Sequence, residues 1–316
     1  MPTSTNATEL ANAVAALRAG AVIGLPTETV YGLAADAMNP TAVARIFALK
    51  GRPLDHPLIV HIAGAEALPR FARDIPDAAR QLAAAFWPGP LTLILRRQAN
   101  VPDAVTGGQD TVGLRAPAHP LAQQLLHAFD GGLAAPSANR FGRISATRAE
   151  HVRDEFGEQV PLVLDGGPCT VGIESSIIDL SAQPPRILRP GAITRAQIEA
   201  IIGPVADGVD ADSPRASGTL AAHYAPRTPL RLLPRHAIHA ADSIQVLALG
   251  TVPVGSDGIA LPADPDAYAH GLYAALRSLD ARGSALIVVD QTPNTPAWQA
   301  INDRLRRSAA GAGAGD

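Results

Sequence analysis

The chemistry in this chain concentrates in four short segments beside expected strands, where a scaffold usually presents a site. In Pro26-Thr27-Glu28-Thr29-Val30-Tyr31-Gly32-Leu33, hydroxyls and a carboxylate follow a strand directly, which suits either recognition of a small polar ligand or a hydrogen-bonded turn. In Lys50-Gly51-Arg52-Pro53-Leu54-Asp55-His56-Pro57-Leu58, two cations stand close together on a Gly/Pro-rich loop. A lysine point charge beside an arginine fork makes a phosphate clamp; the alternative is a solvated helix C-terminus, where cations favour the dipole anyway. His61, within the strand pattern Ile59-Val60-His61, is equally compatible with a hydrogen-bonded core histidine and a ligand contact. Thr111-Val112-Gly113-Leu114-Arg115 ends an apolar strand in a guanidinium that is either paired internally or aimed at a carboxylate. Ala134-Ala135-Pro136-Ser137-Ala138-Asn139 offers Ser137 and Asn139 as short donors, or as an ordinary Asx-type loop. Gly172-Ile173-Glu174-Ser175-Ser176, with Arg189-Pro190-Gly191 after it, sets adjacent hydroxyls among glycines, as an anion pocket or a strand-entry turn.

One of these residues stands apart on composition. Of 26 basic residues only Lys50 is a lysine, so arginine has replaced lysine everywhere else. Arginine and lysine differ in shape, hydration and hydrogen-bond geometry, so a position that keeps lysine points to a need for a compact ammonium. Other chemistries lack their residues. There is no Walker A pattern and no GxGxxG, and the glycine pairs at 107–108 and 166–167 are not phosphate fingerprints. The single cysteine, Cys169, excludes an intramolecular disulfide and a multi-Cys zinc site, and no clustered His/Asp/Glu set suggests a zinc fixed by the protein.

The elements that must position these segments alternate between helix and strand. Thr8 is expected to cap a helix carrying Leu10, Val14 and Leu17, ended by Gly20; Asn39-Pro40 opens another, closed by Lys50-Gly51. Further helices are expected at 77–86, 120–129, 148–156 and 194–202. Strands are expected at 21–25, 58–62, 91–95, 111–114, 133–135, 162–164, 176–180 and 186–188. Several strands follow one another without a helix between them, which favours a mixed sheet over a purely parallel one. Residues 204–229, rich in Pro, Gly, Ser and Asp, form a linker, expected to lie across the mouth of the first unit because it carries His223-Tyr224-Ala225-Pro226. A second α/β unit spans 230–308, with strands at 230–233, 244–249 and 285–289 and helices near 265–281 and 296–307; residues 309–316 read as a disordered tail. A chain of 316 residues, 47% apolar and with net charge −3, accommodates two domains and excludes a disordered chain or one dominated by a polyanion-binding surface. The polar start MPTSTNATEL lacks a basic segment followed by an apolar one, so a cytoplasmic location is expected.

In order, LPTETVYGLAADA, KGRPLDHPLIVHI, TVGLRAP, APSAN and GIESSIIDL resemble the YrdC/Sua5 family of threonylcarbamoyl-AMP synthases, from roughly Leu10 to Arg195. SGTLAAHYAP and the α/β unit after it resemble the longer, two-domain Sua5 type. The resemblance implies an α/β fold: a twisted mixed sheet with helices around a deep cavity in 1–203, plus a smaller Rossmann-like C-terminal domain. It also implies a nucleotidyltransferase that makes threonylcarbamoyl-AMP and pyrophosphate from L-threonine, bicarbonate and ATP, for t6A modification at position 37 of tRNA. The family's catalytic tetrad falls on Lys50, Arg52, Ser137 and Asn139. ATP would be held by Arg52, His56, Thr111, Ser137, Ser145, Arg189 and Tyr224, and threonine by Thr29, His61, Arg115, the backbone at Ala135, and Ser175. Magnesium would accompany ATP, with no metal fixed by the protein and no organic cofactor, and the product would pass to the t6A-transferring enzyme complex. Two positions depart from the family's pattern: His56 stands where asparagine is usual, and Ser175-Ser176-Ile177-Ile178 where Ser-Thr-Val-Val is usual. Histidine replaces one amide donor but not donor and acceptor together. Two alternatives are a double-stranded RNA-binding module, which the net charge disfavours, and a carbamoyl-transfer relative of hydrogenase maturation proteins, whose zinc-finger and acylphosphatase segments are absent.

Overall fold

The computed structural model describes residues 4–210, 213–239, 241 and 243–313. Among the described residues, thirteen strands form two sheets. The first unit contributes β1 (Ile23–Leu25), β2 (Gly32–Asp36), β3 (Ile59–His61), β4 (Leu91–Arg96), β5 (Thr111–Arg115), β6 (Leu133–Ala134), β7 (Ser176–Asp179), β8 (Arg186–Arg189) and β9 (Ala206–Asp207). They pair in the order β1-β2-β6-β3-β5-β4-β7-β8-β9, with parallel and antiparallel neighbours mixed as the strand spacing implied. The second unit contributes β10 (Leu230–Leu233), β11 (Ile244–Leu249), β12 (Asp257–Leu261) and β13 (Leu286–Asp290), all parallel, in the order β10-β13-β11-β12. No described helix is long and apolar enough to cross a membrane.

Local sequence explains the elements that carry the site. The helix Pro40–Lys50 starts at Asn39, whose side chain accepts from the Thr41 and Ala42 amides at 3.1 Å, with proline at the first turn. It ends at Gly51, whose φ of 63° is left-handed, so the chain turns sharply and sends Lys50 and Arg52 to different surroundings. The parallel register of β3 and β5 sets His61 beside Arg115. Between β1 and β2, the Thr27 hydroxyl accepts from the Thr29 and Val30 amides and donates to the Val30 carbonyl at 2.6 Å, folding the segment 26–31 back on itself.

Several expectations need correction. Thr8 lies inside a helix that already begins at Ser4, because polar Ser4–Ala7 continues it. Residues 162–164 form a single bridge to Gly24 rather than a strand; Val163 packs where a Gly24 side chain would stand. The strands β2, β9 and β12 were not anticipated, and β9 lies inside the segment read as linker. The last helix runs Gln299–Gly311 after a 3₁₀ turn at Pro296–Trp298, so residues 309–311 of the expected tail are helical, while 314–316 lie outside the described residues.

A large apolar cluster fills the first unit between sheet and helices. A second cluster spans both units and the linker, joining Val30, Ile144, Ile173 and Tyr224 to Leu247, Leu272, Tyr273 and Leu305. Backbones approach closely behind β7, where a Cβ on Gly191 would lie 2.3 Å from the Ser176 amide nitrogen. Gly191→Ala should therefore cost about 1–3 kcal/mol and lower the melting temperature by several degrees in calorimetry. An unchanged transition would show that this contact yields without strain.

Candidate active site

The loops gathered at one end of the first sheet enclose a cavity roofed by the linker. Its walls include Thr27, Thr29, Arg52, His61, Arg115, Ala135, Ser137, Glu174, Ser175 and Arg189, and the linker adds Ser217, Gly218, His223 and Tyr224. The free volume within it is about 40 Å³, room for a few water molecules and too little for a nucleoside triphosphate with the linker in this position.

Two hydrogen-bonded groups share this cavity. In the first, Arg115 donates to the Thr29 hydroxyl at 2.8 Å and to the Gly89 carbonyl at 3.2 Å. Its remaining nitrogen lies 2.6 Å from a Glu28 oxygen, ion-paired but out of line for a hydrogen bond. Burial, reinforced by Arg115, pushes His61 down to about 3, so its ring is neutral at neutral pH. In the second group, Arg189 donates through two nitrogens to the Ser175 carbonyl and to the Ser175 hydroxyl at 3.1 Å. Arg189 also donates to the Ser217 carbonyl at 2.8 Å, while Arg52 donates to the Ser217 hydroxyl at 3.1 Å. The linker thus occupies the two guanidiniums most suited to an anion. Burial brings the Arg52 guanidinium down to about 10, and it stays charged at neutral pH. Among the described residues, eight buried side-chain atoms lack a hydrogen-bond partner. Ser256 and Tyr268 lie in the second unit, Glu28 and Arg115 face each other, and the rest are Arg52 Nε, His61 Nδ1, His223 Nδ1 and Asn139 Oδ1. Such orphans each cost on the order of 1–3 kcal/mol, and three of them, on Arg52, His61 and His223, belong to cavity-lining residues that a polar ligand could satisfy.

Nine of the residues expected to serve the site line the cavity: Arg52, Ser137, Arg189, Tyr224, Thr29, His61, Arg115, Ala135 and Ser175. Five do not. Lys50 is buried behind the loop 137–139, its ammonium 2.5 Å from the Ser137 and Asn139 carbonyls. Burial and then Arg52 lower its pKa well below the usual lysine value. The Asn139 amide donates to the Arg140 and Arg143 carbonyls. The His56 ring stands edge-on to Phe141, with centroids 5.4 Å apart. Thr111 lines a smaller neighbouring cavity with Gln109, Arg215 and Ser217. Ser145 is buried and donates to a Glu174 oxygen at 2.5 Å. Reasoning from sequence assigned no role to Thr27, Glu28, Glu174 or Ser217, although all four lie within the quoted motifs. Cys169 is buried, and burial raises its thiol to about 12, which suits an inert side chain.

A mixed nine-stranded sheet whose loops close on an arginine-lined cavity, roofed by a linker and backed by a parallel-sheet unit, defines a two-domain α/β protein built for a small anionic ligand. The family model described as Telomere recombination matches residues 15–191, and that for the Threonylcarbamoyl-AMP synthase C-terminal domain matches 193–310. The chain is 38% identical to the threonylcarbamoyl-AMP synthase of Pyrococcus abyssi, covering 93% of this chain and 92% of that one. It is 40% identical to the threonylcarbamoyl-AMP synthase of Bacillus subtilis, covering 98% and 95%. The crystal structure of P. abyssi Sua5 complexed with L-threonine superposes with a TM-score of 0.87 at 35% identity, over 95% of this chain and 94% of that one. The chain belongs to the YrdC/Sua5 family of threonylcarbamoyl-AMP synthases, nucleotidyltransferases of the two-domain form.

Proposed function

We propose that this chain joins L-threonine, bicarbonate and ATP into threonylcarbamoyl-AMP, releasing pyrophosphate and water, for tRNA t6A modification. The observation that carries this reading is the pairing of two polar groups in one cavity: Thr29, His61 and Arg115 beside Arg52, Ser175 and Arg189. The first group suits an amino acid. Arg115, already balanced by Glu28, takes the threonine carboxylate while Thr29 and His61 offer hydroxyl and imidazole partners. The second group suits phosphates. Once the threonine amine has become a carbamate, a carbamate oxygen attacks the α-phosphorus and pyrophosphate leaves; Arg52, Arg189 and Ser137 align and neutralise that oxygen-rich centre. Magnesium enters with ATP as part of the substrate. His56, Thr111, Ser145 and Tyr224 frame the nucleotide, and Lys50 with Asn139 hold the Ser137 loop in place.

The linker acts as a lid over this reaction. A carbamoyl adenylate is a mixed anhydride prone to hydrolysis, so Tyr224 and Ser217 exclude water while it exists. The finished intermediate then passes to the enzyme complex that transfers it to tRNA in the cytoplasm. The surface speaks against the RNA-binding alternative where exposed Arg70, Arg73, Arg96 and Arg153 are each paired with an aspartate.

The test is pyrophosphate release in the presence of ATP, L-threonine and bicarbonate, with each left out in turn. Release that persists without threonine or without bicarbonate would refute the reading. Selectivity should follow from the hydroxyl: 2-aminobutyrate, which lacks it, leaves buried partners unpaired and should lose about 10²–10⁴-fold in kcat/KM. Equal use of 2-aminobutyrate would remove Thr29 and His61 from hydroxyl recognition.

A further inference from the structure

Among the described residues, the carboxylate that lines the cavity is Glu174, and its ion pair reaches it from the second unit. Its oxygens receive the Ser145 hydroxyl at 2.5 Å, the Tyr273 hydroxyl at 2.9 Å and Arg304 Nε at 2.8 Å. Tyr273 and Arg304 come from the helices Pro265–Asp280 and Gln299–Gly311 of the second unit, 99 and 130 residues away in sequence. Arg304 is fully buried and also donates to the Pro190 carbonyl at 3.1 Å and to Asp303 at 2.8 Å. Burial alone would raise the Glu174 carboxyl, yet Arg304 and Arg189 hold it below its usual value. A cavity meant for a polyanion therefore contains a carboxylate whose ion pair with Arg304, at 2.8 Å, comes from outside its own domain.

The same two helices reach the roof and the Ser145 backbone. Tyr224 stacks on Tyr273 with centroids 5.7 Å apart, the Arg304 guanidinium lies 5.3 Å from the Tyr224 ring, and Ser308 donates to the Tyr224 carbonyl at 2.9 Å. Arg277 donates to the Ile144 carbonyl at 2.5 Å and to the Ser145 carbonyl at 3.3 Å. Ser145 and Tyr224 are thus both placed by the second unit.

We propose, resting on the synthase reading above, that Arg304 and Tyr273 are positioning residues for the nucleotide: through Glu174 they aim the Ser145 hydroxyl, and through Tyr224 they seat the roof. The second domain then completes the nucleotide side of the cavity, while the threonine side is built by the first domain alone. A buried ion pair kept only to fasten two domains would carry no such asymmetry between substrates.

The experiment compares wild type, Tyr273→Phe and Arg304→Lys, with ATP affinity read by titration calorimetry without turnover and KM read for each substrate. Tyr273→Phe removes one hydroxyl at constant volume; Arg304→Lys keeps the charge and loses the fork. Both should weaken ATP binding and raise its KM by about 5–30-fold, with threonine KM within about twofold, because a hydrogen bond to a charged group accounts for on the order of tenfold. ATP affinity unchanged in both variants would overturn the proposal, as would equal losses for ATP and threonine. If Arg304→Lys does not fold, Tyr273→Phe decides alone. Wild type that binds ATP but makes no threonylcarbamoyl-AMP would refute the synthase reading instead, and the calorimetric comparison would still judge this one.

Discussion

Lys50→Arg should lower the rate of pyrophosphate release by about 100-fold in a protein that still unfolds in a single transition. Lys50 is 3% exposed, and its side-chain nitrogen donates to two carbonyls of the loop carrying Ser137, a cavity residue, and Asn139. A planar guanidinium is larger than an ammonium and presents its donors in one plane. To fit, it must push the loop 137–139 away by something like an ångström, and a misplacement of that size costs on the order of 10² in rate. Lys50→Met should also fail, for a different reason: it leaves both carbonyls without their donor, at about 1–3 kcal/mol each. Turnover by Lys50→Arg at the wild-type rate would show that the position tolerates any cation and that its scarcity among 26 basic residues is incidental.

Ser217→Asp should raise the KM for ATP by about 10–100-fold and leave that for threonine nearly unchanged. The wild-type hydroxyl and carbonyl engage Arg52 and Arg189 as neutral acceptors, which a phosphate displaces readily. A carboxylate there becomes a resident counter-ion, held by charge-assisted hydrogen bonds of about 1.5–3 kcal/mol, and ATP must compete with it. Rising salt should narrow the gap, since it weakens the new pair. Ser217→Ala, which removes only the hydroxyl, should stay within a few-fold of wild type. An unchanged ATP KM in Ser217→Asp would mean that this residue is not over the phosphate site.

Much of the framework was legible because its signals are local. The helices Asp77–Phe86 and Pro120–Phe129 have the expected bounds, each carrying proline at or just before its first turn and an apolar face. The strands Leu230–Leu233 and Ile244–Leu249 were equally plain as short apolar runs. The strand β2 was not, since Gly32–Asp36 reads GLAAD, poor in β-branched residues, and is held by burial and pairing on both edges. The site divides the same way. Arg115 and His61 end or sit in recognisable strands, so their convergence follows from the sheet. The partners of Lys50 are backbone carbonyls 87 and 89 residues on, and a carbonyl has no signature in the sequence. The link from Glu174 to Arg304 spans 130 residues and two domains, so no local pattern could disclose it.

The roofed cavity has a kinetic consequence. On the function proposed above, a nucleotide that seats on Arg52 and Arg189 must first displace Ser217 of the linker, which engages both. The apparent Kd is then the intrinsic one divided by the fraction of molecules open, so an open population of about one in a hundred would weaken the observed affinity about 100-fold. Association rates would be set by how often the roof lifts rather than by diffusion, and would level off as ATP concentration rises. On that function, affinity for ATP would be adjustable at residues outside the phosphate site, by any change that alters how firmly Ser217 and Tyr224 rest.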